Sequence, residues 1–121
     1  PYLHKRMGAA YTIADLVISR AGASSLGEYP HFGLPAILVP YPYAWRYQKV
    51  NADYLVRKNA ALILEDSEME EKLLPLITEL MRDQTRRNEM KDEMRNLAGR
   101  NSAALIANLI NETATITKHV Q

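Results

Sequence analysis

The sequence predicts an α/β fold: a Rossmann-like parallel sheet with helices on both faces. Short runs of apolar and β-branched residues alternate along the chain with longer segments of helical spacing. This alternation is typical of β-α-β units, in which parallel strands lie buried between layers of helices. With 121 residues, the chain has room for one such domain.

The composition excludes several function classes. Apolar residues make up 47% of the chain and charged residues 24%, as in an ordinary soluble domain. The net charge is +1 with acids and bases interspersed, so we predict no nucleic-acid partner, which would need a basic face. Cysteine is absent and the three histidines are scattered. We therefore predict no metal, no disulfide and no cofactor.

Three strands and three helices are predicted in the first half of the chain. Small apolar residues at helical spacing indicate a helix over Met7–Ala14, and a β-branched run follows at Leu16–Ile18. A second helix begins at Ser24 or Ser25, which are good N-cap residues, and ends at Gly33. The remaining elements are a strand at Ala36–Val39, an aromatic and proline-rich loop at Pro40–Trp45, a helix at about Tyr47–Lys58 and a strand at Ala61–Leu64.

Three helices complete the predicted domain. The first runs near Glu68–Arg82, where Pro75 marks either a kink or the true start of the helix. The others are a helix with a core stripe of Met90, Met94 and Leu97, ending at Gly99, and a helix at Ser102 to about Asn111. We thus divide the chain into a domain over residues 1–112 and a flexible, aperiodic tail over residues 113–121. Pro1-Tyr2-Leu3 is typical of the end of a strand, and we expect further strands upstream.

The segment Ser19–Ser25 is the first candidate binding site. It follows the first strand, and open parallel sheets bind ligands beyond the carboxyl ends of their strands. Gly22 permits a close approach of the backbone, and free N–H groups near Ser24, Ser25 and Leu26 would face an anion such as phosphate. The alternative is a tight strand-to-helix turn with no ligand.

Glu28 also has two interpretations. Ser25-Leu26-Gly27-Glu28 fits a capping box, in which Glu28 would reach back to the N–H of the cap residue. Alternatively, the two carboxylate oxygens accept hydrogen bonds from the vicinal hydroxyls of a ribose. Spacing alone favours the capping box.

A second constellation lies at the start of the third predicted helix. Gln48 and Asn51 are three residues apart and share a helix face, and their amides suit sugar hydroxyls. An exposed first helical turn is the alternative. Trp45 would either stack on a sugar or base, or pin the loop.

The motifs together resemble the C-terminal, donor-binding domain of the MurG family in glycosyltransferase family 28. Over about residues 1–110 they are, in order, Ser19-Arg20-Ala21-Gly22-Ala23-Ser24, then Glu28, Gly33-Leu34-Pro35-Ala36, Pro40-Tyr41-Pro42 and Gln48-x-x-Asn51-Ala52. The resemblance implies the C-terminal half of a two-domain GT-B fold, truncated at its N-terminus, that binds UDP-N-acetylglucosamine.

The resemblance also implies site roles. Glu28 would bind the ribose hydroxyls, and the backbone N–H groups of Ala23, Ser24 and Ser25 would face the diphosphate. Gln48 and Tyr47 would face the sugar together with Asn51, and Leu3 or His4 would meet the uracil edge through backbone atoms. Arg20 would organise the loop rather than contact phosphate. Tyr47 departs from the family, which usually has a small polar or imidazole side chain there.

The implied activity is an inverting transfer of N-acetylglucosamine to a lipid-linked muramyl-peptide acceptor in peptidoglycan synthesis, at the cytoplasmic face of the bacterial membrane. The acceptor-binding domain and the general base would lie upstream, so no catalytic residue is assigned here and the isolated chain is expected to be inactive. Two alternatives stay open. One is a GT-B enzyme for another nucleotide sugar or acceptor, and the other is a non-catalytic donor-binding subunit that pairs with a separate chain.

Overall fold

The computed structural model describes residues 3–43, 45–99 and 102–118, and it describes their side chains except those of His4, Trp45, Arg46, Ser102 and residues 115–118. In chain order the elements are a 3₁₀ turn at His4–Arg6, α1 (Met7–Ile13), β1 (Val17–Ser19), α2 (Ser25–Phe32), β2 (Ala36–Leu38), α3 (Trp45–Arg57), β3 (Ala61–Ile63), a 3₁₀ turn at Asp66–Glu68, α4 (Met69–Arg82), α5 (Gln84–Asn96) and α6 (Ser102–Lys118).

The three strands form a parallel sheet in the order β1-β2-β3, as the sequence predicts. Val17 aligns with Ala36, and Ala36 aligns with Ala61, so the strands run in step without a stagger. Because the strands are parallel, the loops that follow them emerge at one edge of the sheet. Helices α2 and α3 begin at that edge, after β1 and β2 respectively.

The central strand β2 is buried on both faces. Ala36 and Leu38 face a core that includes residues of α2 and α3, whereas Ile37 and Val39 face a core that includes Leu80 of α4 and Met90 of α5. This alternation follows from the two-residue period of a strand. Met90 and Met94 are both buried, so the methionine stripe packs in the core as predicted.

Helix α2 ends at Gly33, as predicted. Gly33 adopts the left-handed conformation (φ 58°, ψ 44°), and its N–H donates to the carbonyl of Pro30. A Cβ at Gly33 would lie 2.6 Å from Cγ of Arg95. Both the backbone conformation and the packing of α5 therefore favour glycine here.

Two boundaries differ from the sequence prediction. Helix α4 begins at Met69 and runs through Pro75, so the proline does not mark its start. The final helix continues to Lys118, past the predicted end near Asn111, because Thr113–Lys118 contain no helix breaker even though they lack an apolar period. Leu3 lies in no strand, and Pro1 and Tyr2 are outside the described residues.

Helix α6 exposes its apolar side chains, namely Leu105, Ile106, Leu109 and Ile110. Despite this composition, none of the helices within the described ranges is long and apolar enough to span a membrane.

Candidate functional site

Side-chain hydrogen bonds fix the backbone of the β1–α2 loop (residues 20–24). The carbonyl of Ala21 accepts a hydrogen bond from Nδ2 of Asn51 at 3.0 Å, which ties the loop to α3. The carbonyl of Gly22 accepts from the hydroxyl of Ser25, a side chain that is only 1% exposed. Ala21 itself is fully buried. The loop is therefore held from the inside, and its outer face is open.

The start of α2 leaves two backbone donors without a partner among the described residues. The N–H groups of Ser25 and Leu26 donate to the carbonyls of Gly22 and Ala23 at 3.1 and 3.2 Å. In the described part of the chain, the N–H groups of Ala23 and Ser24 donate to no carbonyl or side chain. Of the three predicted diphosphate contacts, Ala23 and Ser24 thus retain a free donor, whereas the N–H of Ser25 closes the turn.

Gly22 borders open space. A Cβ built on Gly22 would meet no atom within 4 Å, and its backbone is not in the left-handed region. Neither packing nor conformation therefore requires glycine at this position. A ligand that lies against the backbone would require glycine here, because a side chain would block its approach.

Glu28 does not form the capping box that spacing favours. The N–H of Glu28 donates to the carbonyl of Ser24 at 2.8 Å, and the hydroxyl of Ser25 turns back to Gly22. A capping box needs an extended cap residue ahead of the helix, but Ser25 lies within α2, and Ser24 before it has helical angles (φ −61°, ψ −30°) and makes no side-chain cap. The exposed carboxylate of Glu28 instead accepts a hydrogen bond from the hydroxyl of Tyr11 at 2.9 Å.

Arg20 joins the loops that follow all three strands. Its guanidinium donates to the carbonyl of Val39 at 3.3 Å, forms an ion pair with Asp66 after β3, and lies 5.3 Å from the ring centre of Tyr41. This agrees with the predicted role of Arg20 in organising the loop. An arginine fits here because its planar group donates in several directions and also packs on an aromatic ring.

Gln48 and Asn51 each use one end of the amide to hold a loop. Oε1 of Gln48 accepts from the N–H of Tyr41 at 2.8 Å, and Asn51 binds Ala21 as described above. In the described part of the chain, no hydrogen bond uses Nε2 of Gln48 or Oδ1 of Asn51. Beside them, Tyr47 is 75% exposed and points away from the core. The stacking predicted for Trp45 concerns a side chain outside those described.

The predicted uracil contact lies just before α1. The carbonyl of Leu3 accepts from the N–H of Arg6 at 2.8 Å in the first 3₁₀ turn, and the Leu3 side chain is 49% exposed. The side chain of His4 is outside those described. Helix α1 packs against α2, which places this turn on the same side of the sheet as Glu28.

A cavity elsewhere in the molecule is less suited to a nucleotide. A groove of about 900 Å³ opens at the junction of α4 and α5, with Thr78, Glu79 and Arg82 in its lining. Glu79 is already paired with Arg86 at 2.6 Å, and the groove lies away from the carboxyl edge of the sheet. Among the residues that the structure describes, no three His, Asp or Glu side chains come close enough to hold a metal ion.

A sequence model of the glycosyltransferase family 28 C-terminal domain matches residues 1–110. The chain belongs to this family. A solved structure, MurG of Acinetobacter baumannii, superimposes with a TM-score of 0.78 and 33% sequence identity, over 88% of this chain and 32% of that one. The family therefore accounts for the fold and for the order of the loop motifs.

Two curated relatives of this family 28 domain carry the same name, UDP-N-acetylglucosamine–N-acetylmuramyl-(pentapeptide) pyrophosphoryl-undecaprenol N-acetylglucosamine transferase. The relative from Halothermothrix orenii is 43% identical over 116 residues, which are 94% of this chain and 31% of the relative. The relative from Bacteroides fragilis is 45% identical over 104 residues, 85% of this chain and 27% of the relative. The chain thus spans less than a third of the length of each.

Sequence reasoning missed three residues that shape the site of this family 28 domain. These are Tyr11, which contacts Glu28, Tyr29, whose hydroxyl donates to Ser19 at 2.8 Å, and Asp66, which pairs with Arg20. Tyr11 and Asp66 lie 17 and 46 residues from their partners. No local period links positions so far apart, so only the packing of the helices reveals these contacts.

Proposed function

We propose that this chain is the donor-binding part of a glycosyltransferase that transfers N-acetylglucosamine from UDP-N-acetylglucosamine to a lipid-linked muramyl-peptide acceptor. Membership of family 28 and the names of the curated relatives support this reaction. One structural observation carries the donor site: the N–H groups of Ala23 and Ser24, which have no partner among the described residues, stand at the start of α2 with Glu28 one turn further on.

This arrangement suits a nucleoside diphosphate. The N–H groups of Ala23 and Ser24 would donate to phosphate oxygens, and the dipole of α2 favours negative charge at the same place. The open space beside Gly22 lets the diphosphate approach the backbone. Glu28 would accept the two ribose hydroxyls, because a carboxylate offers acceptor sites on both oxygens.

The loop would then stabilise the leaving group. In an inverting transfer, the acceptor hydroxyl attacks the anomeric carbon of the sugar while the bond to the β-phosphate oxygen breaks. Negative charge grows on the departing UDP, and fixed backbone donors stabilise such developing charge at little reorganisation cost. The side-chain bonds from Asn51 and Ser25 hold the loop ready for this role.

Gln48, Asn51 and Tyr47 would line the sugar end of the site. Nε2 of Gln48 and Oδ1 of Asn51 remain available to sugar hydroxyls while their other amide atoms hold the loops. Leu3 or His4 would meet the uracil through backbone atoms. The lipid-linked acceptor in the relatives' names leads us to propose a site of action at the cytoplasmic face of the membrane, reached through a further acceptor-binding domain.

Calorimetric titration of UDP-N-acetylglucosamine into the full-length protein that carries this sequence tests the donor site. We expect Glu28→Ala to weaken binding about 10- to 100-fold, since hydrogen bonds to a charged group contribute about 1.5–3 kcal/mol. Glu93→Ala, an exposed glutamate of α5, is the matched control and should bind as the wild type does. Undiminished donor binding by Glu28→Ala would contradict the assigned ribose contact.

Tyr47 favours a second candidate, transfer of a different sugar. Its exposed ring stands where a small polar or imidazole side chain is usual in the family. A panel of UDP-N-acetylglucosamine, UDP-N-acetylgalactosamine and UDP-glucose on the full-length protein separates the two candidates. Preference for UDP-N-acetylglucosamine supports the main proposal. Preference for another donor would contradict it and favour transfer of that other sugar.

A further inference from the structure

The hydrogen bond between Tyr11 and Glu28 links α1 to the donor site. The hydroxyl of Tyr11 donates to Oε2 of Glu28 at 2.9 Å. This bond occupies one acceptor position on one oxygen. A carboxylate has about four acceptor positions in all, so Oε1 and the second position on Oε2 remain for a ligand.

The ring of Tyr11 is itself fixed by α2. It meets the ring of Tyr29 edge to face, with 5.7 Å between the ring centres and 83° between the planes, and it meets Phe32 at 5.4 Å. Tyr29 is only 6% exposed, and its hydroxyl is anchored on Ser19 at the end of β1. The packing of these three aromatic rings therefore holds the Tyr11 hydroxyl in place.

Tyr11 serves as the donor in this bond over the whole physiological pH range. Burial raises the pKa of Tyr11 to about 12, and the hydrogen bond to Glu28 adds to the rise. The phenol therefore stays protonated well above neutral pH. Since an ionised carboxylate only accepts, the direction of the bond is fixed as Tyr11 to Glu28.

We propose that Tyr11 is a positioning residue that holds the Glu28 carboxylate in the orientation that accepts both ribose hydroxyls of the donor. The inference rests on the ribose role of Glu28 proposed above. Glu28 is exposed, and a free glutamate side chain would lose rotamer freedom when it binds a rigid diol. Tyr11 restricts that freedom before the ligand arrives, so less entropy is lost on binding.

Binding of two ligands to the full-length protein tests this inference: UDP and 2′,3′-dideoxy-UDP, which lacks both ribose hydroxyls. Wild type should prefer UDP. Tyr11→Phe keeps the ring and its packing but removes the hydroxyl, so we expect UDP to bind about fivefold more weakly and dideoxy-UDP to bind unchanged. Tyr54→Phe, a partly exposed tyrosine of α3, is the matched control and should alter neither affinity.

The other outcomes are distinguishable. Equal weakening of both ligands in Tyr11→Phe would show a general structural role and overturn the inference, as would unchanged or tighter binding of UDP. Equal affinity of the wild type for the two ligands would show that the ribose hydroxyls make no binding contact. That result would overturn both the proposed role of Glu28 and this inference.

A double-mutant cycle gives a second measurement. Tyr11 is expected to act only through Glu28, so adding Tyr11→Phe to Glu28→Ala should cause no further loss of UDP affinity. A further fivefold loss in the double variant would show that Tyr11 acts by another route and would overturn the inference. Thermal unfolding without ligand checks that each variant is folded.

Discussion

The two loops that meet at the carboxyl edge of the sheet are built differently. The β1–α2 loop contains the fully buried Ala21, and both Asn51 and Ser25 bind its carbonyls. The β2–α3 loop (residues 39–44, of which 39–43 are described) exposes Tyr41 by 45% and Tyr43 by 81%. Side chains bind the backbone of both loops, but the first loop buries Ala21 whereas the second presents two aromatic side chains to solvent.

This difference matches what each loop would bind. Backbone donors recognise phosphate only if their directions are fixed, and fixing them before binding lowers the entropy lost. The exposed aromatic loop would lie at the sugar end, beside Gln48. Arg20 joins the two loops through Val39 and the ring of Tyr41, so that the first loop helps to hold the second.

Between the two loops, the larger expected effect comes from Gly22→Ala in the β1–α2 loop. A Cβ there meets no protein atom within 4 Å, so the free energy of unfolding should change by less than about 0.5 kcal/mol. If the diphosphate lies against this backbone, the added methyl group displaces it, and we expect UDP to bind about tenfold more weakly. Calorimetric titration and thermal unfolding measure the two quantities.

Gly27→Ala is the control for that substitution. Gly27 lies in α2, and its Cβ would likewise meet nothing within 4 Å. Alanine should stabilise the helix by up to about 1 kcal/mol without affecting UDP binding. Wild-type affinity for UDP in Gly22→Ala would contradict a diphosphate site at this loop.

A smaller and more selective effect is expected from Gln48→Ala in α3, which removes a side chain that holds the exposed loop. The change removes the acceptor for the N–H of Tyr41 and the free amide nitrogen that would face the sugar. UDP should bind as before, whereas UDP-N-acetylglucosamine should bind about threefold more weakly, as expected for the loss of one hydrogen bond to a neutral group. An equal loss for both ligands would show that Gln48 supports the nucleotide end, and the two loops would then not divide the donor between them.

The strand and helix order was predictable from the sequence because each element carries a local signal. The buried run at Ala36–Leu38, the C-cap at Gly33 and the stripe of Met90 and Met94 all follow from periodicity and turn chemistry. The end of α6 was misjudged because an apolar period shows which face packs, not where a helix stops.

The site was predictable only in part. Motif order pointed to Glu28 and to the loop after β1, but spacing alone favoured a capping box that the hydrogen bonds of Ser25 and Glu28 exclude. The partner of Glu28 is Tyr11 on another helix, and the partner of Asn51 is a carbonyl 30 residues away. Such contacts depend on how helices pack on the sheet, and local sequence patterns do not encode them.

A crystal structure of the full-length protein with bound UDP-N-acetylglucosamine would show where the donor lies. We expect phosphate oxygens at hydrogen-bonding distance, about 3 Å, from the backbone nitrogens of Ala23 and Ser24. We also expect both ribose hydroxyls on Glu28, with the bond from Tyr11 retained. A donor bound elsewhere, such as in the groove between α4 and α5, or a ribose that does not touch Glu28, would contradict the proposed donor site.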